Sequence, residues 1–190
     1  MNNILLINAC VRPESRTRNL ADYLLSKIQG EVTIIDLYKE DIPPMDNEKI
    51  EVRNRALETG DMNHPILQYA GQFAKADIIV IAAPYWDLSF PAWLKIYIES
   101  ICAVGVTFAY DEQGRPYGLC KASKLYYLTT AGGPIISDEL GFGYIRTLCE
   151  TFYGIKELFY VKAENLDMWG IDVEQILQKA KADIDALFAK

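Results

Sequence analysis

Short apolar runs alternate with longer segments of helical periodicity along the chain, the pattern of parallel strands joined by crossover helices. The strand-length runs are NILLIN (3–8), EVTIID (31–36), ADIIVIAAP (76–84), KLYYLTTA (124–131) and KELFYVKA (156–163). The first and third are almost unbroken in apolar residues, as central strands covered on both faces should be, so they are expected to be neighbours. Helices are predicted over 17–28, 66–75, 91–102, 143–153 and from Asp172 onward. In the last, Val173, Ile176, Leu177, Ala180, Ile184 and Leu187 recur at helical spacing, with Asp172 as N-cap. The expectation is an α/β fold around one open sheet of five parallel strands.

Two connections are too long for simple turns. Residues 37–65 are strongly polar, carry a Pro-Pro pair and read as a surface excursion with room for a short helix. Residues 105–121 set aromatic and β-branched residues around Gln113-Gly114, the pattern of a hairpin inserted before the fourth strand. The segment from Pro91 is apolar on most of its circumference, with Trp93, Leu94, Ile96, Tyr97, Ile98, Ile101 and Cys102. A helix of that kind needs cover on two sides, and a sheet hides only one.

Composition narrows the function classes. The 190 residues are read as one domain, 1–190, with 51% hydrophobic and 24% charged residues, ordinary for a globular protein. A net charge of −7, with no run of Lys and Arg interleaved with aromatics, argues against a nucleic-acid partner. The amino-terminal MNNILLINAC lacks a positive n-region, and no apolar stretch reaches bilayer-spanning length; no membrane association and a cytoplasmic location are expected. Cys10, Cys102, Cys120 and Cys149 form no Cys-x-x-Cys pair and read as buried thiols. The single histidine, His64, excludes a His-rich metal site and reads as a loop residue.

Against that acidic background, residues 8–19, NACVRPESRTRN, hold three arginines and two hydroxyl side chains. An anion is the simplest reason. In open parallel sheets ligands bind beyond the carboxyl ends of the strands, which selects the loops after strands one, three and four: 9–17, 84–91 and 130–138. The first enters a helix with Ser15, Arg16 and Thr17, so free amides, hydroxyls and a guanidinium converge on a phosphate site. The helix terminus offers about 0.3–1 kcal/mol, whereas a hydrogen bond to a charged group offers about 1.5–3 kcal/mol, so the side chains should dominate. No G-x-G-x-x-G occurs, and a dinucleotide fingerprint is not supported. In the second loop Tyr85, Trp86 and Phe90 suit a planar heterocycle. In the third, Gly132 and Gly133 permit close backbone approach and Thr130 adds a hydroxyl. A phosphate at one loop and a planar ring between two others describe a mononucleotide, and the aromatic emphasis favours FMN, with FAD as the alternative.

These loops, in this order, resemble the flavodoxin-like NAD(P)H:quinone oxidoreductases and FMN-dependent azoreductases, over most of the chain. ESRTRNLADYL is similar to the family's phosphate loop, through Ser15, Arg16 and Thr17. APYWDLSFPAWLKIYIE resembles its ring-contacting segment leading into a dimer helix, through Pro84, Tyr85, Trp86, Asp87 and Pro91. TTAGG resembles the third loop, through Thr130, Ala131, Gly132 and Gly133. The resemblance implies a flavodoxin-like three-layer fold with strand order 2-1-3-4-5 and a homodimer whose partner completes the pocket. It implies hydride transfer from NAD(P)H through the flavin to a quinone, azo or related acceptor. The flavin supplies the chemistry, so no catalytic acid or base is identified. Trp86, Phe142 and Tyr144 are the expected acceptor contacts. Asp87 stands where the family usually has Asn; a carboxylate at the flavin would lower its potential.

Two other readings compete. Cys10, Arg16 and Thr17 match the C-x5-R-[ST] loop of low-molecular-weight tyrosine phosphatases, although Pro13 removes an amide from that cradle and the expected Asp-Pro is absent. A flavodoxin-type electron carrier shares the fold and acidic charge, but the two long insertions favour a built substrate pocket.

Overall fold

A computed structural model describes residues 1–189. The parallel sheet is formed by β1 (Asn2–Asn8), β2 (Gly30–Asp36), β3 (Ile78–Ala82), β6 (Lys124–Thr130) and β7 (Glu157–Ala163), in the order β2-β1-β3-β6-β7. Counting only these five strands, this is the expected 2-1-3-4-5. β1 lies between β2 and β3 with Ile4 opposite Ile78 and Asn8 opposite Ala82. The two most continuously apolar runs are thus neighbours, as their patterning required.

Side chains alternate between the sheet's faces and seed two cores. Leu5, Ile7, Ile79, Ile81, Leu125 and Tyr127 point to one face, and Ile4, Leu6, Val80, Tyr126 and Leu128 to the other. The first face is covered by α3 (Gln68–Lys75), α4 (Ala92–Ile101) and α5 (Tyr144–Leu148), the second by α1 (Arg16–Leu25) and α6 (Val173–Ala186). Asp172 caps α6 as expected, its carboxylate accepting from the Gln175 amide at 3.1 Å. Ala180 and Ile184 seal that helix to the core.

Residues 105–121 form the anticipated hairpin: β4 (Phe108–Tyr110) runs antiparallel to β5 (Pro116–Gly118). A Cβ at Gly118 would lie 2.2 Å from the Tyr153 backbone, so glycine lets the hairpin press against the end of the α5 segment. The polar excursion contains a full helix, α2 (Asn47–Thr59), longer than the short one foreseen. Asp46 caps it through the Lys49 amide at 2.9 Å and Gly60 closes it at φ +72°. Only Ala56 of α2 is buried, which is why its amphipathic signal was weak. The α5 segment is helical from Glu139, earlier than predicted, because π-helical turns flank its α-helical centre at 139–143 and 149–153.

On α4, Leu94, Tyr97, Ile98 and Ile101 are buried, while Trp93 stays partly exposed against the edge of the Tyr38 ring. His64 caps the short turn Pro65–Leu67, its Nδ1 accepting from the Ile66 amide. All four cysteines are free; Cys10 and Cys149 are buried, whereas Cys102 and Cys120 are half-buried. Among the described residues no helix is long and apolar enough to cross a membrane, and no cluster of three metal-ligating side chains occurs.

Candidate functional site

A cleft of about 690 Å³ opens at the carboxyl ends of the central strands. That volume lies within the range of small-molecule sites, about 300–1,000 Å³. Its walls come from residues 10–17 after β1, 84–86 after β3, 130–132 at the end of β6, and Leu166 and Asp167 beyond β7. Ser15, Arg16, Thr17, Pro84, Tyr85, Trp86, Thr130, Ala131 and Gly132 therefore share one space, as the sequence suggested.

The first loop feeds α1. Ser15 is its N-cap, Oγ accepting from the Arg18 amide at 3.3 Å, which leaves the hydroxyl hydrogen available to a ligand. Thr17 is fully buried and its hydroxyl lies 2.6 Å from that of Thr130, one donating to the other. This bond ties the loop after β1 to the end of β6. The remaining cations differ in freedom: Arg18 is held by Asp22 at 2.7 Å, while Arg12 is exposed at the rim.

Cys10 lies in the same loop but is not poised for nucleophilic work. It is 6% exposed and its thiol donates toward the Ala82 carbonyl at 3.6 Å. Burial pushes the thiol up to about 11, against smaller opposing pulls from Ser15 and Arg18. A phosphatase loop does the reverse, holding its cysteine as thiolate at neutral pH. The arrangement of Cys10 and Arg16 thus argues against the phosphatase reading.

The second loop carries Tyr85 and Trp86. The Tyr85 amide donates to the Thr130 carbonyl at 3.0 Å, locking this loop to the third, and its hydroxyl is buried without a hydrogen-bond partner. Trp86 is 42% exposed and begins a tight turn in which Trp86 and Ser89 exchange both backbone hydrogen bonds. Asp87 and Leu88 at its centre have φ of +49° and +69°. Asn and Asp tolerate that left-handed conformation better than most residues. Asp87 therefore occupies a turn position that suits either Asp or Asn, is exposed, and lies outside the cleft lining, whereas the sequence reading places it against the flavin.

Gly133, Phe142 and Tyr144 are also not brought to the cleft. Phe142 stacks on Tyr160 at 4.5 Å, and Tyr144 packs against Phe90 at 5.8 Å. Both rings are spent on packing within the protein. Gly132 does line the cleft, but its missing side chain serves a neighbour: a Cβ there would collide with Asp167 Oδ2.

Leu166 and Asp167 escaped the sequence reading because the segment AENLDMWG carries no motif. It reaches the cleft through pairing. Beyond the strands, the Leu166 amide donates to Ala131 O at 3.1 Å, Asp167 to Gly132 O at 2.9 Å and Asn165 to Gly133 O at 3.0 Å. Arg16 then spans the opening, its Nη1 donating to Asp167 Oδ1 at 2.7 Å and to Leu166 O at 3.3 Å. Applying the strand-end rule to the fifth strand as well would have found this wall.

The combination suits a phosphate-bearing, planar ligand. The amino end of α1 offers amides without intrahelical partners, Ser15 and Arg16 offer donors, and Trp86 offers an exposed ring. Three layers, this sheet order and a cleft at the strand ends define a flavodoxin-type α/β protein. The chain belongs to the family described as having a flavodoxin-like fold, whose pattern matches residues 2–188. It is 42% identical to FMN-dependent NADH:quinone oxidoreductase 2 of Clostridium acetobutylicum over 190 residues, 94% of each chain. It is 38% identical to the FMN-dependent NADH:quinone oxidoreductase of Clostridium beijerinckii, over 95% of this chain and 94% of that one. The crystal structure of an azoreductase from Bacillus anthracis superimposes with a TM-score of 0.85 at 25% identity, covering 98% of both chains.

Proposed function

We propose that this chain is an FMN-dependent NAD(P)H oxidoreductase that reduces a quinone, azo compound or related small acceptor. The observation that carries the reading is the meeting, in one cleft, of the Ser15–Thr17 helix start with Tyr85 and Trp86. Ser15, Arg16 and the first amides of α1 would hold the phosphate, while Tyr85, Trp86 and residues 130–132 would flank the ring. Bound there, a flavin would supply the two-electron redox chemistry between nicotinamide and acceptor. The chain's own residues orient the flavin and leave one side of the cleft open to nicotinamide and acceptor. No side chain is assigned a proton-transfer role.

The reading extends to one flavodoxin-like domain, 1–190, in the cytoplasm. It also includes a homodimer in which the exposed side of α4 around Trp93 is covered by a second copy. NADH is the donor to assay first, given the names of the two clostridial relatives.

The test is a visible spectrum of protein mixed with FMN and desalted, then treated anaerobically with NADH or NADPH. Retained flavin bands that bleach with the nucleotide alone and return on adding a quinone support the enzyme. Bands that bleach only with a separate reductase indicate an electron carrier, and failure to retain FMN defeats the reading.

A further inference from the structure

Arg16 bridges two walls of the cleft through its side-chain charge. Both hydrogens of its Nη1 are spent on one loop, on Asp167 Oδ1 at 2.7 Å and on Leu166 O at 3.3 Å. Nε and Nη2 retain three N–H donors. The loop doing the holding is itself fixed: Leu166 is buried, and the amides of Leu166 and Asp167 donate to Ala131 O and Gly132 O. The Asp167 carboxylate fits where Gly132 has no Cβ.

An ion pair whose partners are 40% and 66% exposed adds little to folding. Its consequence is conformational. An unrestrained arginine at a cleft mouth loses its rotamer freedom when it grips an anion, whereas one already anchored by one nitrogen does not. Asp167 also has a cost. The charged side chains lining the cleft are Arg12 and Arg16 against Glu14 and Asp167, so its carboxylate opposes any phosphate that enters.

We propose that Asp167 is a positioning residue for the phosphate of the bound mononucleotide. Acting as a hydrogen-bond acceptor, it fixes Arg16 so that the free edge of the guanidinium is presented to the anion. The proposal rests on the flavin reading above. It separates two properties of one side chain: acceptor geometry, which helps, and negative charge, which hinders.

Asp167→Ala removes both properties, while Asp167→Asn keeps an acceptor oxygen and removes the charge. FMN and riboflavin, which differ by the phosphate, are titrated against each variant by flavin fluorescence. Asp167→Ala should weaken FMN about tenfold, and Asp167→Asn should stay within about threefold of the wild type, with riboflavin affinity unchanged in both. FMN binding that holds or tightens in Asp167→Ala overturns the proposal, because the carboxylate then acts only as a competing anion. Equal weakening of FMN and riboflavin overturns it too, as does a loss shared equally by Ala and Asn.

A second readout needs no ligand. The Arg16 Nε–H resonance of labelled protein should be sharp in the wild type and in Asp167→Asn and broadened in Asp167→Ala; a resonance unchanged in Asp167→Ala overturns the proposal. If the wild type binds neither FMN nor riboflavin, the flavin reading falls while this resonance still decides whether Asp167 fixes Arg16; if it binds both equally well, the flavin reading stands and the phosphate role proposed for Asp167 is overturned.

Discussion

The two sides of the cleft are built by different means. Around Tyr85 and Trp86 the wall is a tight turn carrying two non-glycine residues in the left-handed region, with an exposed indole and a hydroxyl lacking a partner. Around Gly132 and Asp167 the wall is a backbone ladder of another kind, in which three hydrogen bonds tie the turn after β7, with Asn165 at φ +67°, to the carbonyls of residues 131–133. The first side holds unspent contacts, an exposed indole and an unpaired hydroxyl, which a bound ring would use. The second has spent its contacts and serves as a fixed reference from which Arg16 is aimed. A site of this kind separates recognition from positioning.

Raising the pH tests the first side most severely. Cys10, whose thiol donates toward the Ala82 carbonyl at the end of β3, has that thiol raised from near 9 to about 11 by burial, so the folded state keeps a proton that the unfolded chain gives up. The stabilisation is complete below about pH 9 and is lost as pH rises toward 11; each unit of the gap is worth about 1.4 kcal/mol. Urea unfolding at pH 8, 9 and 10 should show stability falling, with Cys10→Ala flattening the fall. Burial raises Cys120 too, to about 12, so that flattening should be partial.

Thr17→Val would cut the tie between the start of α1 and the end of β6. It strands the half-buried Thr130 hydroxyl and should cost about 2 kcal/mol in denaturant unfolding, whereas Thr17→Val with Thr130→Val should cost clearly less than the sum of the singles. Gly132→Ala is aimed at the ladder side. Its new Cβ displaces the Asp167 carboxylate rather than backbone, so melting should change by under about 1 kcal/mol while FMN affinity falls several-fold. Leu88→Gly relieves a left-handed leucine and should raise stability by about 1 kcal/mol, seen as a higher Tm. The smallest effect belongs to Asp87→Asn: with its side chain outside the cleft lining, a redox titration should give an unchanged flavin potential.

What could be read from the sequence follows the same division. The strands were legible because burial on both faces demands continuous apolar runs, and this fixed the neighbours of β1. The loops at 10–17, 84–86 and 130–132 were legible because arginines, hydroxyls and aromatics stand out from an acidic, otherwise ordinary chain. Leu166 and Asp167 were not, since their place depends on the register of β7 against β6, a long-range property with no local signature. Phe142 and Tyr144 lie outside the cleft lining of this chain. An aromatic near a predicted site looks the same whether it meets a ligand or, as here, Tyr160 and Phe90. Gly132 was found for a reason that the structure revises, since the space it leaves belongs to Asp167.

The bridge from Arg16 to Asp167 also sets an order in time. A ribosome makes the two halves of the bridge 151 residues apart, so at about 5–20 residues per second they emerge separated by on the order of 10 s. For that interval β1, β2 and β3 can already associate, yet the receptacle at their ends lacks its last wall and the aspartate that aims Arg16. Loading of a small anionic guest at full strength therefore waits for residue 167, and a polypeptide cut short before it emerges with its sheet begun and its grip missing.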